Sequence, residues 1–227
     1  MIEFILMDIE GTTTSIDFVH QVLFPYAKAH LPAFLAKNRK EERVARELEA
    51  VKVTVYHETG LEVGFGDAVQ QLLDWIGKDR KHTALKNLQG YLWRSGYEQG
   101  DYKGHLYPDV LPAWEQWKAL GIRLGIYSSG SVEAQQLLYG YSEQGDLRPF
   151  LEAYFDTRIG QKREVGSYQK ISAELGLAPE KILFLSDVPA ELEAAKAAGY
   201  QVLHVVRPGT APDPAFPSVQ SFAEIKW

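Results

Sequence analysis

The sequence contains no cysteine among its 227 residues. That excludes disulfides, thiolate zinc sites and a cysteine nucleophile together, and it agrees with a reducing compartment, so a cytoplasmic location is expected. Basic residues are also in short supply. The 24 Lys and Arg against 30 Asp and Glu leave a formal net charge of -6, whereas a general binder of phosphate backbones is normally basic. Nucleic acid is therefore not an expected partner. Long uncharged apolar runs are missing as well: the first, Phe4 to Met7, has no basic segment ahead of it and meets Asp8 at once, which fits neither a signal peptide nor a membrane span. Repeats and low-complexity tracts are absent. What remains is 45% hydrophobic and 24% charged, the balance of a folded chain with room for one good-sized core and a smaller second domain.

Four short apolar runs organise that core: "FILM" (4–7), "GIRLGIYSSGS" (121–131), "KILFLSD" (181–187) and "YQVLHVV" (200–206). Each is too short for a core helix and rich in Ile, Leu and Val, which suits strands covered on both faces. Helical patterns separate them. Val110, Leu111, Trp114, Trp117 and Leu120 share one side of a helix that Gly121 can end, and "PAELEAAKAAGY" (189–200) is a strong helix former closed by Gly199. This alternation predicts an α/β fold with a doubly wound, mostly parallel sheet, whose ligands sit beyond the carboxyl ends of the strands.

Residues 16–105 break the rhythm with helical spacing only. Val44, Leu48, Val51 and Val55 form one stripe, and Ala68, Val69, Leu72, Leu73 and Ile76 another. An all-helical insert over 16–105 is predicted between two parts of the α/β domain, 1–15 and 106–227. Gly96, Gly100 and Gly104 read as hinge or loop positions on its return. The proline-rich stretch "RPGTAPDPAFP" (207–217) reads as an extended segment on the core surface.

The first strand stops on two carboxylates one residue apart, Asp8 and Glu10, followed by Gly11 and the hydroxyl run Thr12 to Ser15. Buried charge without compensation is costly, and a hard divalent cation such as Mg²⁺ compensates carboxylates well. A helix-capping cluster explains the same residues about equally well when they are taken alone. Three further strand ends weigh in. Ser128 and Ser129 follow Ile126, Asp187 follows the third apolar run, and Lys162 lies in the glycine-bounded stretch "DTRIGQKREVGSY" (156–168). Singly, each has an ordinary structural explanation as a cap, a turn or a solvated charge. Together, in this order and each at a strand end, they point to phosphate and metal chemistry.

This order resembles the haloacid dehalogenase superfamily, whose members mostly transfer phosphoryl groups through an aspartyl-phosphate with Mg²⁺ and often carry a cap domain after the first motif. Superfamily phosphatases usually have Asp two residues after the nucleophile, whereas this chain has Glu10. That glutamate, with "VLFPYA" (22–27), "LKNLQGYLWRSGY" (85–97), "LYPDVLPAWEQW" (106–117), "IYSSGSVEAQQLL" (126–138) and "YFDTRIGQKREVGSY" (154–168), is similar to the enolase-phosphatase family of methionine salvage, the acireductone synthases. The resemblance implies a small phosphorylated diketone as substrate, enolised and then dephosphorylated, with no nucleic-acid or membrane partner and with one chain sufficient per site.

The resemblance also implies roles. Asp8 is the nucleophile and a Mg²⁺ ligand. Glu10 adds to the metal site, through its backbone carbonyl, and its side chain is a candidate for proton transfer. Asp187 is the remaining protein ligand, and Ser128, Ser129 and Lys162 bind the substrate. The base for enolisation stays open, with Glu10 the candidate. Glu191 reads as a first-turn acid favouring the helix dipole, with support of the metal as the alternative. Phe18 and Trp93 either line the substrate pocket or belong to the core. The six histidines lack metal-ligand spacing and read as surface or packing residues. Two other readings remain in view: a capped phosphatase of another phosphomonoester without an enolase step, and a non-catalytic metabolite binder.

Overall fold

The computed structural model describes residues 1–226. The chain separates into two compact units, one formed by residues 1–16 with 103 onward and the other by residues 17–102. Strand β1 (Phe4–Met7) leads into a helical stretch made of α1 (Ile16–Phe18), a π-helical turn at Val19–Leu23, α2 (Phe24–Asn38), α3 (Glu42–Thr59), α4 (Phe65–Gly77) and α5 (Thr83–Gln99). Helices and strands then alternate: α6 (Val110–Ala119), β2 (Arg123–Tyr127), α7 (Val132–Gly140), β3 (Ala153–Phe155), α8 (Val165–Leu175), β4 (Ile182–Ser186), α9 (Pro189–Ala197), β5 (Gln201–Val205) and β6 (Ser218–Val219).

In the first unit the six strands form one parallel sheet in the order β3-β2-β1-β4-β5-β6. β1 is central and every one of its residues is buried, which is why it reads as an unbroken apolar run rather than an alternating one. Its last residue, Met7, pairs with Ile126 on one side and Leu185 on the other. Asp8, Ser128 and Asp187 therefore leave the sheet along the same edge. On α6, Val110, Ala113, Trp114 and Trp117 are buried, and the Trp114 indole N–H approaches Met7 Sδ at 3.2 Å. Gly121 takes a φ of 78° just after this helix, the left-handed turn only glycine adopts without strain.

The strands β3 and β6 are not visible as apolar runs, because three and two residues at a sheet edge are too short to carry a pattern. The stretch 207–217 is irregular, but it is not merely laid on the surface: Arg207 and Phe216 are both buried. His105 explains where the first unit resumes. Its Nδ1 accepts from the Ser15 N–H at 3.1 Å and lies 3.0 Å from Thr14 Oγ1, and Gly104 exchanges backbone hydrogen bonds with Tyr141 and Glu143. Residues 103–105 thus join the sheet-bearing unit instead of the insert.

The second unit has its own core. Leu31 and Leu35 of α2, Val44, Leu48, Val51 and Val55 of α3, Leu72, Trp75 and Ile76 of α4, and Leu85, Leu88 and Leu92 of α5 close around one another. Val69 and Leu73 pack at the edge of this cluster, so the expected stripe on α4 is real but only part of it is fully buried. Gly96 is not a hinge: it lies inside α5, where a β-carbon would come within 2.7 Å of the Tyr102 ring. Gly100, with a φ of 76°, does end that helix. Phe18 is buried edge-on to Tyr102, and the Trp93 indole N–H donates to the Leu23 carbonyl at 3.1 Å. Phe18 is thus a core residue, and Trp93 is half-buried against the core of this unit. Among the described residues no helix is long and apolar enough to cross a membrane.

Candidate active site

The site lies at the carboxyl edge of the parallel sheet and belongs wholly to the first unit. Asp8 follows β1 directly and is buried; its backbone N–H continues the ladder to Leu185 O at 2.9 Å. The chain then turns back tightly, with the amides of Thr12, Thr13 and Thr14 all donating to the Ile9 carbonyl and the Gly11 amide donating to Thr14 O. Gly11 makes this turn possible. Its φ is 72°, and any β-carbon there would collide with the Asp187 carboxylate.

Lys162 reaches the same point from the loop after β3. It is buried, its Nζ lies 2.5 Å from Asp8 Oδ1 and 2.6 Å from Glu191 Oε2, and its loop is anchored by the Tyr168 hydroxyl, which donates to the Lys162 carbonyl at 2.7 Å. Burial pulls the Lys162 ammonium downward, but the facing carboxylates of Asp8 and Glu191 outweigh it and raise its pKa. The ammonium stays protonated across the physiological range. Lys162 is thus a fixed positive charge in a dry site, not a solvated lysine of a charged run.

Glu191 belongs to this cluster, and the helix-dipole reading of it is corrected. It is buried, paired to Lys162, and its Oε2 lies 3.1 Å from Ser186 Oγ. Ser186, the last residue of β4, also lies 3.4 Å from Asp8 Oδ2 and accepts from the Val188 N–H. Sequence reasoning missed Ser186 altogether. For Glu191 the available signal was position: a side chain in the first turn of a helix leans back toward the helix N-terminus, here toward the strand end next to Asp187.

Glu10 is half-buried. Its pKa is raised, first by burial and then by the charge of Asp8, while the Ser128 side chain draws it slightly down. Asp187 is raised to about 7, and Glu191 likewise to about 7, again by burial first and Asp8 second. Ser128 is buried and accepts from the Gly130 N–H, while Ser129 is exposed on the same turn. His204, buried on β5, lies with Nε2 3.1 Å from the Asp187 carbonyl while its Nδ1 accepts from the Asp213 N–H. It is a packing residue that also holds the Asp187 loop.

Four carboxylates, Asp8, Glu10, Asp187 and Glu191, thus lie within electrostatic reach of one another and of the Lys162 ammonium. Asp187 Oδ1 is buried without a hydrogen-bond partner, a costly state unless a ligand satisfies it. Surplus negative charge and an orphaned oxygen both suit a hard cation. Among the described residues no three His, Cys, Asp or Glu side chains gather into a ready metal cage. Mg²⁺ needs no such cage, because it binds through one or two carboxylates and keeps several of its waters.

A family model for haloacid dehalogenase-like hydrolases matches residues 2–199. The enolase-phosphatase E1 of Picosynechococcus sp. is 51% identical over 225 residues, covering 99% of this chain and 98% of that protein. The enolase-phosphatase E1 of Hahella chejuensis is 50% identical over 97% of this chain and 94% of its own length. Among solved structures, the Unknown transcript 4 protein of Saccharomyces cerevisiae superposes with a TM-score of 0.81 at 33% identity, covering 99% of this chain and all 100% of that one. A Rhodobacter sphaeroides CbbY structure, at 20% identity and a TM-score of 0.60, shares the fold. With the sheet order, the acid cluster and these likenesses together, the chain belongs to the haloacid dehalogenase-like hydrolases and, within them, to the enolase-phosphatase E1 family.

Proposed function

We propose that this chain is a Mg²⁺-dependent acireductone synthase: it enolises 2,3-diketo-5-methylthiopentyl-1-phosphate and then removes the phosphate to give acireductone. The observation that carries the reading is the buried contact of Lys162 with Asp8, beside Glu10, whose carboxyl pKa is raised by burial and by Asp8. In this reading the carboxylates of Asp8 and Asp187 and the carbonyl of Glu10 hold Mg²⁺, which when bound supplies charge neutralisation at the phosphoryl group and polarisation of the neighbouring carbonyl.

The remaining chemistry falls to the chain. Glu10, its carboxyl pKa raised by burial and by Asp8, takes the proton from the carbon bearing the phosphate ester and returns one to the adjacent carbonyl oxygen, which makes the enol. Asp8 then attacks phosphorus and displaces the ester oxygen, and Lys162 offsets the repulsion between two anions at that moment. Water, deprotonated by Glu10, releases inorganic phosphate from Asp8, and the proton passes from Glu10 to the displaced ester oxygen, which completes acireductone and restores the carboxylate. Ser128 and Ser129 hold phosphate oxygens at the end of β2. The helical unit, with its own core, serves as the cap that excludes water during transfer.

The test mixes the purified protein and Mg²⁺ with the phosphorylated diketone and follows enol absorbance and phosphate release together. Enol that rises before phosphate is the expected result. Phosphate without enol makes the protein a plain phosphomonoesterase and removes Glu10 from enolisation.

A further inference from the structure

Arg207 is buried to 5% exposure in the irregular stretch after β5. A guanidinium withdrawn from water this far needs partners on every edge. It has them. Nε and Nη2 both donate to the Thr12 carbonyl, at 3.1 and 3.0 Å. Nη1 faces both oxygens of Asp109, at 3.0 and 2.9 Å, and the Gln220 carbonyl at 3.2 Å. The plane is flanked by aromatic rings, with Cζ 4.2 Å from the Tyr107 ring centre and 5.0 Å from that of Phe222. Asp109 is itself held, accepting from Ser221 Oγ at 3.0 Å and from the Phe222 N–H at 2.6 Å.

What this assembly grips is the turn that follows Asp8. Thr12 is the middle of the loop whose amides converge on Ile9 O, and its neighbour Thr13 is tied at its carbonyl by the Tyr107 N–H at 3.0 Å. None of these groups reaches Asp8 or Lys162, so Arg207 has no access to a reacting atom. Two of its donors, Nε and Nη2, instead converge on one backbone carbonyl, that of Thr12, four residues from Asp8. The hydrolase family model stops at residue 199, so Arg207, Gln220, Ser221 and Phe222 all lie beyond the part of the chain that the wider family shares.

We infer that Arg207 is a positioning residue for the reaction: clamped by Asp109, it fixes the 9–14 turn and so holds Asp8 and the Glu10 carbonyl in working geometry. The inference rests on the assignment of Asp8 and Glu10 proposed above. Lysine cannot replace this clamp, since a single ammonium does not reproduce a planar fork that spans a carbonyl and a carboxylate at once.

The test compares hydrogen exchange and steady-state kinetics in the full chain for Arg207→Lys, Asp109→Asn and a surface control, Arg123→Lys, in which the exposed Arg123–Glu152 pair is altered. For Arg207→Lys, amides of the 9–14 turn exchange faster by about tenfold or more while those of β1 and β4 do not, as expected when one segment loosens locally. With p-nitrophenyl phosphate and Mg²⁺, its kcat falls by roughly 10- to 100-fold with little change in KM, the cost of a displaced reacting group. Asp109→Asn moves both readouts in the same direction by a smaller amount, and it carries the test if Arg207→Lys does not fold. Exchange that is unchanged at the turn, or that quickens equally across the sheet, overturns the clamp. So does a loosened turn with undiminished kcat. Absence of turnover in the unaltered protein would instead remove the catalytic assignment, and the exchange data would still decide whether Arg207 holds the turn.

Discussion

Lys162 and Glu191 form a buried ion pair, Nζ to Oε2 2.6 Å, in addition to the contact that Lys162 makes with Asp8. The same ammonium also faces Asp8 at 2.5 Å, so in the proposed reaction the lysine keeps one counter-ion when Asp8 is committed to phosphorus. This separates the charge that serves chemistry from the charge that holds the lysine. It also sets opposite expectations for the two partners of the Asp8–Lys162 contact.

Replacing Asp8 by Asn removes one of several crowded negative charges and leaves Lys162 paired with Glu191. The burial and Asp8 charge that raise Asp187 and Glu191 to about 7 are then partly relieved. The variant is therefore expected to melt at or above the temperature of the parent protein while turnover falls by at least about a thousandfold. Thermal melts with single-turnover phosphate release check this; a variant with parental turnover would end the covalent mechanism.

Replacing Lys162 by Met has the reverse profile. It strands Asp8 and Glu191 in a dry pocket with no cation, and removal of one member of a buried ion pair costs on the order of 3–5 kcal/mol. Urea unfolding in the absence of Mg²⁺ should show that loss, and added Mg²⁺ should restore part of it because the cation binds the freed carboxylates. A midpoint that does not move would mean that the pair adds nothing to the fold.

Much of this arrangement was legible in the sequence, for physical reasons that also mark the limits. β1, β2, β4 and β5 carry unbroken apolar runs because helices cover both faces of a parallel sheet, and Asp8, Glu10, Ser128 and Asp187 are conspicuous because polar groups end those runs. Lys162 was legible only through the order of motifs, since its loop has no strand signal of its own. Ser186 and Arg207 were not legible, and Glu191 was so only as an alternative to a helix-dipole role. A first-turn glutamate, a strand-terminal serine and an arginine beside prolines all have ordinary local explanations, and only the pairing of β1 with β4 and the fold-back of residues 207–222 bring them to the site.

The helical unit offers a pH prediction away from the site. His82 caps α5: its Nδ1 accepts from the Ala84 N–H at 3.2 Å, which leaves the ring proton on Nε2, 3.0 Å from Thr54 Oγ1. Burial and then the Arg80 charge lower its pKa from 6.5. The unfolded chain thus takes up the proton first, so the contribution to stability is complete above about 6.5 and is lost as pH falls through the lower folded value. His82→Asn retains a capping acceptor that does not titrate. Between about pH 7.5 and 5 its melting temperature should fall less than that of the parent, and equal slopes would show that His82 is protonated without cost.

Glu10 carries the most discriminating prediction. Shortening it to Asp restores the residue usual in phosphatases of this superfamily and keeps the backbone carbonyl that the proposed Mg²⁺ site uses. It draws the carboxyl back toward the backbone by one methylene. Water activation tolerates such a shift, because a water molecule can follow the carboxylate. Proton abstraction from a carbon held by the bound substrate cannot, since the reacting atoms are fixed and a misplacement of about 1 Å costs roughly a hundredfold. Glu10→Asp is therefore expected to retain measurable hydrolysis of a simple phosphomonoester, within about tenfold of the parent, while enol formation from the phosphorylated diketone falls by about a hundredfold. Parallel loss of both activities would place Glu10 in the phosphoryl-transfer step alone, and the base for enolisation would then have to be sought elsewhere in the pocket.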